Sequence, residues 1–559
     1  MLPQAYTGKG VIVGVIDTGF DFQHPVFKDA EGRSRIKAVY NPFGGSGSEA
    51  YDAYGNLLPG TVYDTPEQIE KLTTDTYKQM HGTHTASTAA GTHHGDWGGM
   101  APDADLVLCL FYPSDDATDY DGSLGSSWYL LNSLAYLQGY VKNSGQRAVI
   151  SMSLNSHSGP HNGKGDVVDA IQTLTGEDNI AMVMATGNNA AVPLYAHKQL
   201  ASDDDVMKTF IRTQNTNCQS ITYGYSRQDT PLTLKLCVVD TVKMEVKYET
   251  EVYRSDAEDG MGQTVLLQSS DDRTMAKYFT GGIQFALMPH EDYKQTYLNL
   301  VASGKLRGTK YAMMLCIGGA EGTDIDLCED YSVGYTSFGK EGVVNGDNTK
   351  LQSDWASATG CISVGAYAAN LSQRKLTGTY DTSDYFTLGD WAYFSSFGTG
   401  LNGEAAPTVC APGVNVVAAA NRYYYNASVI NSASDEMKWD GGVYDAISGT
   451  SMATPCVSGI VALCLEAMPE VTPAEIKEAL ASTAVQDKFT AASPEKFGHG
   501  KVDALSGLQL LMKGSTGISQ YTYDCMADHV YYTLQGVRVA GKLLQRGIYL
   551  KGNKKVVVK

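Results

Sequence analysis

Residues 440–468, DGGVYDAISGTSMATPCVSGIVALCLEAM, pass from a polar, glycine-rich loop into a run of small and apolar residues, and Ser451 stands at the junction. The apolar spacing from Met452 onward predicts a helix, and we expect Pro455 to fall in its first turn, where proline is tolerated. A helix start presents unpaired N–H groups and the positive end of the helix dipole, which favours negative charge developing on a hydroxyl. Ser451 is therefore a candidate nucleophile, although serine also serves as an ordinary N-cap.

Two further segments supply the partners that a serine nucleophile needs, a base to take its proton and a group to orient that base. Residues 11–16 have the pattern of a buried strand and end in Asp17, at the kind of strand end where α/β sheets bind ligands, although aspartate there also serves ordinary turns. His81 and His84 precede small residues, 86–90, that can pack a helix closely against a sheet. Either histidine could be the base, and we expect His84 to be structural.

A third segment, NIAMVMATGNN at residues 179–189, has the pattern of another buried strand that ends in Thr-Gly-Asn. An amide held at such a strand end can donate to a developing oxyanion, which is worth about 10²- to 10³-fold in turnover. Asn188 is therefore a candidate oxyanion donor. The alternative is that Gly187 and Asn188 only form a turn.

Taken together, these segments resemble the subtilisin-like serine proteases, the subtilases. The resemblance covers roughly residues 5–196 and 344–512. The matching stretches, in the family's order, are VIVGVIDTGFDFQHPVF, HGTHTAS, GMAPDADL, VISMSLNSHSG, ATGNN, FSSFGTG with VCAPGVNV, SGTSMATPCVSG and FGHGKVDALSGL.

The resemblance implies a catalytic triad and an acyl-enzyme mechanism. It makes Asp17 the orienting carboxylate, His81 the general base, Ser451 the nucleophile and Asn188 the oxyanion donor. The chain order Asp, His, Ser is that of subtilisin, and Ala453 breaks the G-x-S-x-G pattern of the α/β-hydrolases. The expected function is that of a secreted serine endopeptidase acting on polypeptides.

The family binds its substrate between two extended segments, which correspond to residues 121–128 and 151–159. One departure bears on specificity, because Asn155 and Ser156 stand where the family usually has two glycines. We expect a narrower or more polar pocket, and a local backbone shift that leaves the pocket open is the alternative. The substrate-binding residues that the resemblance implies are Ser123, Leu124, Gly125, Ser153, Leu154, Asn155 and Gly187.

Metal ions have a weaker case in this sequence. The spacing of His81 and His84 permits a metal site, yet there is no H-E-x-x-H motif and no matching cysteine cluster. The family allows calcium as a structural ion, but the loop GTHHGDWGG at residues 91–99 offers few oxygen side chains. Backbone carbonyls of the loop are the alternative ligands, so calcium as a structural ion stays open, whereas we expect no catalytic metal and assign no metal ligand.

The length of 559 residues exceeds what one hydrophobic core usually holds. The expected fold class is α/β, with a subtilisin-like parallel sheet flanked by helices in residues 1–196 and 344–512. Short alternating strands in residues 197–343 predict an inserted all-β, jelly-roll-like domain. Residues 513–559 form a predicted small β unit that resembles the C-terminal sorting tails of type IX secretion cargo in some Gram-negative bacteria.

Composition narrows the partners and the location. With 43% hydrophobic and 18% charged residues the chain is globular, and a net charge of -19 with a pI near 5.0 argues against nucleic acid and anionic membranes. No stretch has the apolar length that spans a membrane, and the N-terminus has no signal-peptide pattern. We expect a secreted or cell-surface bacterial protein, present as a trimmed, mature-like chain after removal of a pro-segment and exported through its C-terminal tail. An intracellular enzyme would have the same N-terminus.

Two other functions fit parts of the sequence. One is a processing peptidase or exopeptidase of restricted specificity, in which Asn155 and the inserted segments limit access to the cleft. The other is a binding or adhesion protein with a vestigial protease domain. The presence of Asp17, His81, Asn188 and Ser451 argues against the vestigial alternative.

Overall fold

The centre of the fold is a nine-stranded sheet, here called the large sheet. The computed structural model describes residues 2–95, 97–111, 125–176, 179–290, 293–330, 333–514 and four short strands beyond residue 529. Seven strands are parallel neighbours, and two antiparallel strands extend one edge. Across the sheet the strands are Val409–Pro412, Ile362–Tyr367, Ala181–Ala185, Arg147–Met152, Val11–Asp17, Asp105–Leu110, Ile36–Asn41, Leu57–Tyr63 and Ser48–Tyr51. Parallel strands are covered on both faces, which explains the unbroken apolar run of residues 11–16.

Helices cover both faces of the large sheet and create two cores, as expected from the alternation of side chains along a strand. Val13 and Val15 face one core, and Ile12 and Ile16 face the other. The helices on the first face are His81–Ala90, Thr450–Ala467, Pro473–Ser482 and Ala504–Gly514, and those on the second are Gly125–Ser144 and Asp166–Gly176. The shorter helices are Pro66–Ile69, Ala257–Gly260, Ala427–Ser432, Lys488–Ala492 and Pro494–Phe497. The predicted α/β class, with a largely parallel sheet between helices, is confirmed.

The helix Thr450–Ala467 corrects two expectations. It has the length and apolar composition of a membrane-crossing helix, contrary to the prediction from sequence, but 72% of the segment is buried inside the protein. Pro455 lies in its second turn and not in its first. This helix packs against the centre of the large sheet, where an apolar surface on all sides is needed.

Residues 195–336 contain two six-stranded antiparallel sheets, here called the sandwich sheets. They share one apolar core, to which Phe285 and Leu300 contribute from one sheet and Leu234 and Leu315 from the other. One sheet has the order Gln263–Gln268, Phe279–His290, Gln295–Leu306, Asn217–Ser226, Asp324–Glu329 and Tyr195–Gln199. The other has the order Glu245–Glu249, Thr233–Asp240, Tyr311–Gly318, Val206–Ile211 and Tyr335–Thr336, with Tyr253–Arg254 beside Thr233–Asp240. The predicted all-β character of this region is present, and a jelly-roll topology stays a prediction.

Smaller sheets complete the described chain. A three-stranded sheet leads into the Thr450–Ala467 helix, and its strands are Val416–Ala420, Gly442–Ile447 and Lys438–Trp439. Two two-stranded sheets pair Ser372–Lys375 with Gly378–Asp381 and Gly398–Thr399 with Ala405–Ala406. Near the C-terminus, Arg538–Ala540, Val530–Thr533, Gly547–Lys551 and Lys554–Val558 form an antiparallel sheet in that order. The described part of the tail is therefore β-structure.

Candidate active site

Asp17 is the last residue of the central strand Val11–Asp17, and only 2% of it is exposed. Its carboxylate is held by three donors. The backbone N–H of Thr18 donates to Oδ1 at 2.7 Å, the hydroxyl of Thr85 donates to Oδ2 at 2.7 Å, and the ring of His81 contacts both oxygens. A buried carboxylate is costly without hydrogen-bond donors, and this one has them at the carboxyl edge of the sheet.

His81 begins the helix His81–Ala90, and its Nδ1 lies 2.7 Å from Oδ1 and 2.9 Å from Oδ2 of Asp17. A carboxylate only accepts hydrogen bonds, so Nδ1 carries a proton. In the neutral ring Nε2 is then the acceptor, as a general base requires. Burial by itself would lower the pKa of His81, but the charge of Asp17 and its hydrogen bond outweigh burial and raise that pKa above the usual 6.5.

His84 has the structural role that the sequence predicts. It is fully buried, and its Nε2 lies 3.0 Å from the carbonyl oxygen of Val416 and 3.3 Å from that of Asp445. Burial and the neighbouring His81 lower the pKa of His84 to about 3, in spite of these two carbonyl contacts. His84 is therefore neutral at ordinary pH and ties its helix to the three-stranded sheet.

Ser451 is the second residue of the helix Thr450–Ala467, and Gly449 occupies the N-cap position. Ser451 is therefore not an N-cap, which was the simpler alternative. Pro455 has no N–H to donate to the carbonyl of Ser451 four residues earlier. The hydroxyl of Ser153 donates to that carbonyl at 2.8 Å instead, and Ser451 Oγ donates to the Ser153 carbonyl at 3.3 Å. Because of the proline, the carbonyl oxygen of Ser451 is available to accept from Ser153, in the segment after strand Arg147–Met152.

Asn188 contacts the same helix start. Its Oδ1 accepts from both the backbone N–H and the hydroxyl of Thr450, each at 2.9 Å. An N–H can only donate, so these contacts determine which end of the amide is oxygen and direct Nδ2 the other way. Nδ2 of Asn188 and the backbone N of Ser451 both lie 3.6 Å from the position that a Cβ on Gly449 would occupy. These two N–H donors thus lie close to one point beside Gly449, which is also 3.6 Å from Sδ of Met452.

The predicted substrate-binding residues come from two parts of the chain, one near Ser451 and one at the start of the helix Gly125–Ser144. Ser153, Leu154 and Asn155 follow strand Arg147–Met152 next to Ser451, and Gly187 lies opposite them with a φ of +107°, a conformation that favours glycine. Gly125 begins the helix Gly125–Ser144. Ser123 and Leu124 lie outside the described residues.

Several residues of the site were missed in the sequence. Thr85 lies four positions after His81 on the same helix face, so its spacing in HGTHT could have identified it. Thr450 directly precedes the candidate nucleophile. Asp75 accepts from the backbone N–H groups of Gly19 and Phe20 at 2.9 and 2.6 Å, and burial raises its pKa to about 6. No local pattern marks Asp75, because its partners are more than fifty residues away.

Side chains that could hold a metal ion do not cluster among the described residues. Within them, no group of three or more His, Cys, Asp or Glu side chains lies together in a way that could hold a metal ion. In the loop suggested for calcium, Nε2 of His93 contacts the carbonyl oxygen of Gly99, and the ring of His94 stacks on Trp439. These imidazoles do not match the oxygen ligands that calcium prefers, which leaves the backbone carbonyls of the loop as its candidate ligands.

Comparison with known proteins identifies the family. A model described as the subtilase family matches residues 8–278 and 329–500. The protease CspB of Clostridium perfringens has a similar structure, with a TM-score of 0.60, 20% identity, and coverage of 91% of this chain and 96% of that one. At this identity the likeness concerns the fold, and it confirms the subtilisin-like α/β architecture.

Two curated relatives are similar in sequence. The serine protease AprX of Bacillus subtilis is 38% identical over 113 residues, which are 20% of this chain and 24% of AprX. The PII-type proteinase of Lacticaseibacillus paracasei is 22% identical over 558 residues, covering 93% of this chain and 27% of the proteinase. The chain thus spans about a quarter of the length of these relatives. Since the family model matches well over half of its residues, this chain belongs to the subtilase family.

Proposed function

We propose that the protein is a secreted subtilisin-like serine endopeptidase that hydrolyses peptide bonds through an acyl-enzyme on Ser451. The observation that carries this proposal is the Asp17–His81 hydrogen-bonded pair at the start of a helix that packs against the Thr450–Ala467 helix. The subtilase match and the protease names of the relatives support the same activity.

In the proposed mechanism Ser451 Oγ leaves its long hydrogen bond to Ser153 and attacks the carbonyl carbon of the substrate. Its proton passes to Nε2 of His81, while Asp17 keeps Nδ1 protonated and stabilises the imidazolium. The oxyanion is held by Nδ2 of Asn188 and the backbone N–H of Ser451. His81 then gives its proton to the leaving amine as the C–N bond breaks.

Water completes the reaction on the acyl-enzyme. His81 takes a proton from the water, whose oxygen attacks the ester carbonyl, and the same two N–H groups hold the second oxyanion. When the C–Oγ bond breaks, His81 returns the proton to Ser451. The product is a carboxylic acid, and the enzyme recovers its starting state.

The test is labelling with a fluorophosphonate, which forms a covalent bond only with an activated serine. We expect the wild type and Ser458→Ala to label and Ser451→Ala not to label. Ser458 is a matched control, because it is a buried serine on the same helix that donates to Ser151 and Thr454. Absence of labelling in folded wild type would favour the vestigial binding protein.

A peptide blocked at both ends separates an endopeptidase from an exopeptidase. An endopeptidase cleaves it internally, whereas an enzyme that needs a free terminus leaves it intact. We expect internal cleavage that Ser451→Ala abolishes. Release of terminal residues from unblocked peptides alone would replace the endopeptidase proposal with the exopeptidase alternative.

We further propose the domain division 1–196, 197–343, 344–512 and 513–559. The strands of the sandwich sheets begin at Tyr195 and end at Thr336, which supports an inserted all-β domain close to the second range. Export of a bacterial protein, a cleaved pro-segment and a sorting role for the tail belong to the same proposal. They rest on the resemblance of the sequence, and the β-structure of the tail agrees with them.

A further inference from the structure

The segment 153–158, which follows strand Arg147–Met152, is bound by an acidic residue next to the sandwich sheets. Oδ1 of Asp330 accepts from the backbone N–H of His157 at 2.8 Å. Oδ2 accepts from the hydroxyls of Ser156 and Ser158 at 3.0 and 2.9 Å. Three consecutive residues beside the cleft therefore converge on one carboxylate.

Asp330 is itself held in place by the sandwich. It directly follows strand Asp324–Glu329, and its backbone N–H donates to the carbonyl oxygen of Ile221 at 2.8 Å. Strand Asp324–Glu329 is paired on both sides, with Asn217–Ser226 and with Tyr195–Gln199. Asp330 is therefore a rigid attachment of the segment to the sandwich sheets.

The opposite side of the segment is bound by the chain that follows the sandwich. The backbone N–H of Ser156 donates to Oγ of Ser353 at 3.1 Å, and the backbone N–H of Asp354 donates to the carbonyl oxygen of Ser156 at 2.7 Å. Ser153 is bound to Ser451, as described above. Asn155 thus lies between two residues whose positions are determined by hydrogen bonds.

The side chain of Asn155 faces Gly187 across the cleft. A Cβ on Gly187 would lie 3.2 Å from Oγ of Ser396 and 3.4 Å from Nδ2 of Asn155, so both side chains reach the side of Gly187 that has no side chain of its own. Deeper in, Nε2 of buried His157 lies 3.3 Å from Oδ1 of Asn189. Asn155 therefore narrows the gap between residues 153–158 and residues 187–189. The contact between His157 and Asn189 bridges the same gap at a more buried level.

In the proposed function a substrate carbonyl oxygen must reach Nδ2 of Asn188 and the N–H of Ser451. The substrate side chain on the acyl side of the scissile bond then enters the gap between residues 153–158 and residues 187–189, where Asn155 lies. We propose that Asp330 is a positioning residue that holds Asn155 across this gap, so that the enzyme cleaves after small residues such as glycine, alanine and serine. This inference rests on the proposed peptidase function.

The test compares peptides that differ only in the residue before the cleaved bond, alanine, leucine or phenylalanine. We expect wild type to prefer alanine over phenylalanine by at least about 100-fold in kcat/KM, since small differences in pocket size are worth roughly 10- to 200-fold. Asn155→Gly should reduce that preference at least about 10-fold by opening the gap. A wild type that prefers phenylalanine would overturn the inference.

Asp330 is tested by a pair of substitutions. Asp330→Ala removes all three hydrogen bonds, and we expect a KM about 5- to 10-fold higher for the alanine peptide, a nearly unchanged kcat and a weaker preference for alanine. In Asp330→Asn the side-chain oxygen still accepts from the N–H of His157, and the NH₂ group can donate to the hydroxyl oxygens of Ser156 and Ser158. This variant should therefore retain most of the wild-type KM. Asp229→Ala, at an exposed aspartate in the same part of the chain, should match wild type.

Fluorophosphonate labelling of every variant separates the two proposals, because the reagent needs an activated Ser451 but no peptide side chain. If wild type labels and Asn155→Gly and Asp330→Ala keep its preference and KM, the inference is wrong while the proposed function stands. If folded wild type does not label, the proposed function is wrong and the inference falls with it. Thermal unfolding identifies a variant that has lost its fold. If Asp330→Ala has lost it, Ser158→Ala, which removes one hydrogen bond to Oδ2 of Asp330, takes its place, and an unchanged preference and KM in Ser158→Ala would overturn the role of Asp330.

Discussion

Thr450→Val tests whether the orientation of the Asn188 amide matters for turnover. Thr450 is fully buried, and its hydroxyl donates to Oδ1 of Asn188 at 2.9 Å beside its own backbone N–H. Valine has nearly the same shape, so the substitution removes one hydrogen bond and leaves the other. The amide of Asn188 then loses one of the two contacts that hold its Oδ1 on Thr450 and keep Nδ2 on the other side.

The size of the effect follows from two magnitudes. Loss of a whole oxyanion donor, as in Asn188→Ala, lowers kcat by about 10²- to 10³-fold, or roughly 2.7–4 kcal/mol. One neutral hydrogen bond contributes about 0.5–1.5 kcal/mol. At 1.36 kcal/mol per factor of ten, Thr450→Val should lower kcat by about 2- to 12-fold. KM should hardly change, because the donor binds the oxyanion more strongly than the ground-state carbonyl.

A double-mutant cycle on a peptide substrate measures whether the two residues act together. If Thr450 acts through Asn188, then adding Thr450→Val to Asn188→Ala should cost less than about twofold in kcat. Equal costs of Thr450→Val in the presence and absence of Asn188 would refute this reasoning. An unchanged kcat in the single variant would refute it as well.

Three further results are expected. The pH profile of kcat/KM should have its acidic midpoint above 6.5, because the Asp17 carboxylate raises the pKa of His81 and the base must be unprotonated; a midpoint below 6 would contradict this. Asp17→Asn should lower kcat about 10⁴-fold by favouring the wrong tautomer of His81, measured on the same peptide with Asp229→Ala as control. Burial raises the pKa of Asp354 to about 8 from the ordinary 3.8, so the folded chain keeps a proton that the unfolded chain releases. The contribution of Asp354 to stability in urea should therefore fall as pH rises from about 4 to 8, so between these pH values Asp354→Asn should gain stability relative to wild type.

Prediction from sequence worked best where local pattern and position coincide. A buried parallel strand has an unbroken apolar run, so the strands that lead to Asp17 and Asn188 could be predicted from residues near them in the chain. The helix starts at His81 and Thr450 also have local signals. No local signal gave the position of Pro455 within its helix, because the residue at which the helix begins depends on how the polar residues 448–451 pack.

The orientation of Asn155 could not be predicted from the sequence. The sequence identified Asn155 as a departure from the family and left open whether its side chain narrows the cleft or the backbone shifts. Its orientation depends on Asp330, 175 positions later in the numbering, and on Ser353 and Asp354. None of these residues belongs to a motif, because a carboxylate that accepts from backbone and hydroxyl groups has no required spacing.

The sequence by itself indicated the α/β class, since hydrophobic periodicity and helix and strand ends are properties of neighbouring residues, and its ordered motifs indicated the family and the candidate site residues. Tertiary structure alone decided which of those residues meet. It set the proton on Nδ1 of His81, directed the amide of Asn188, and joined the sandwich sheets to the cleft through Asp330. Each of these depends on hydrogen bonds between residues far apart in the chain, which only the packing of the sheets and helices brings within 3 Å.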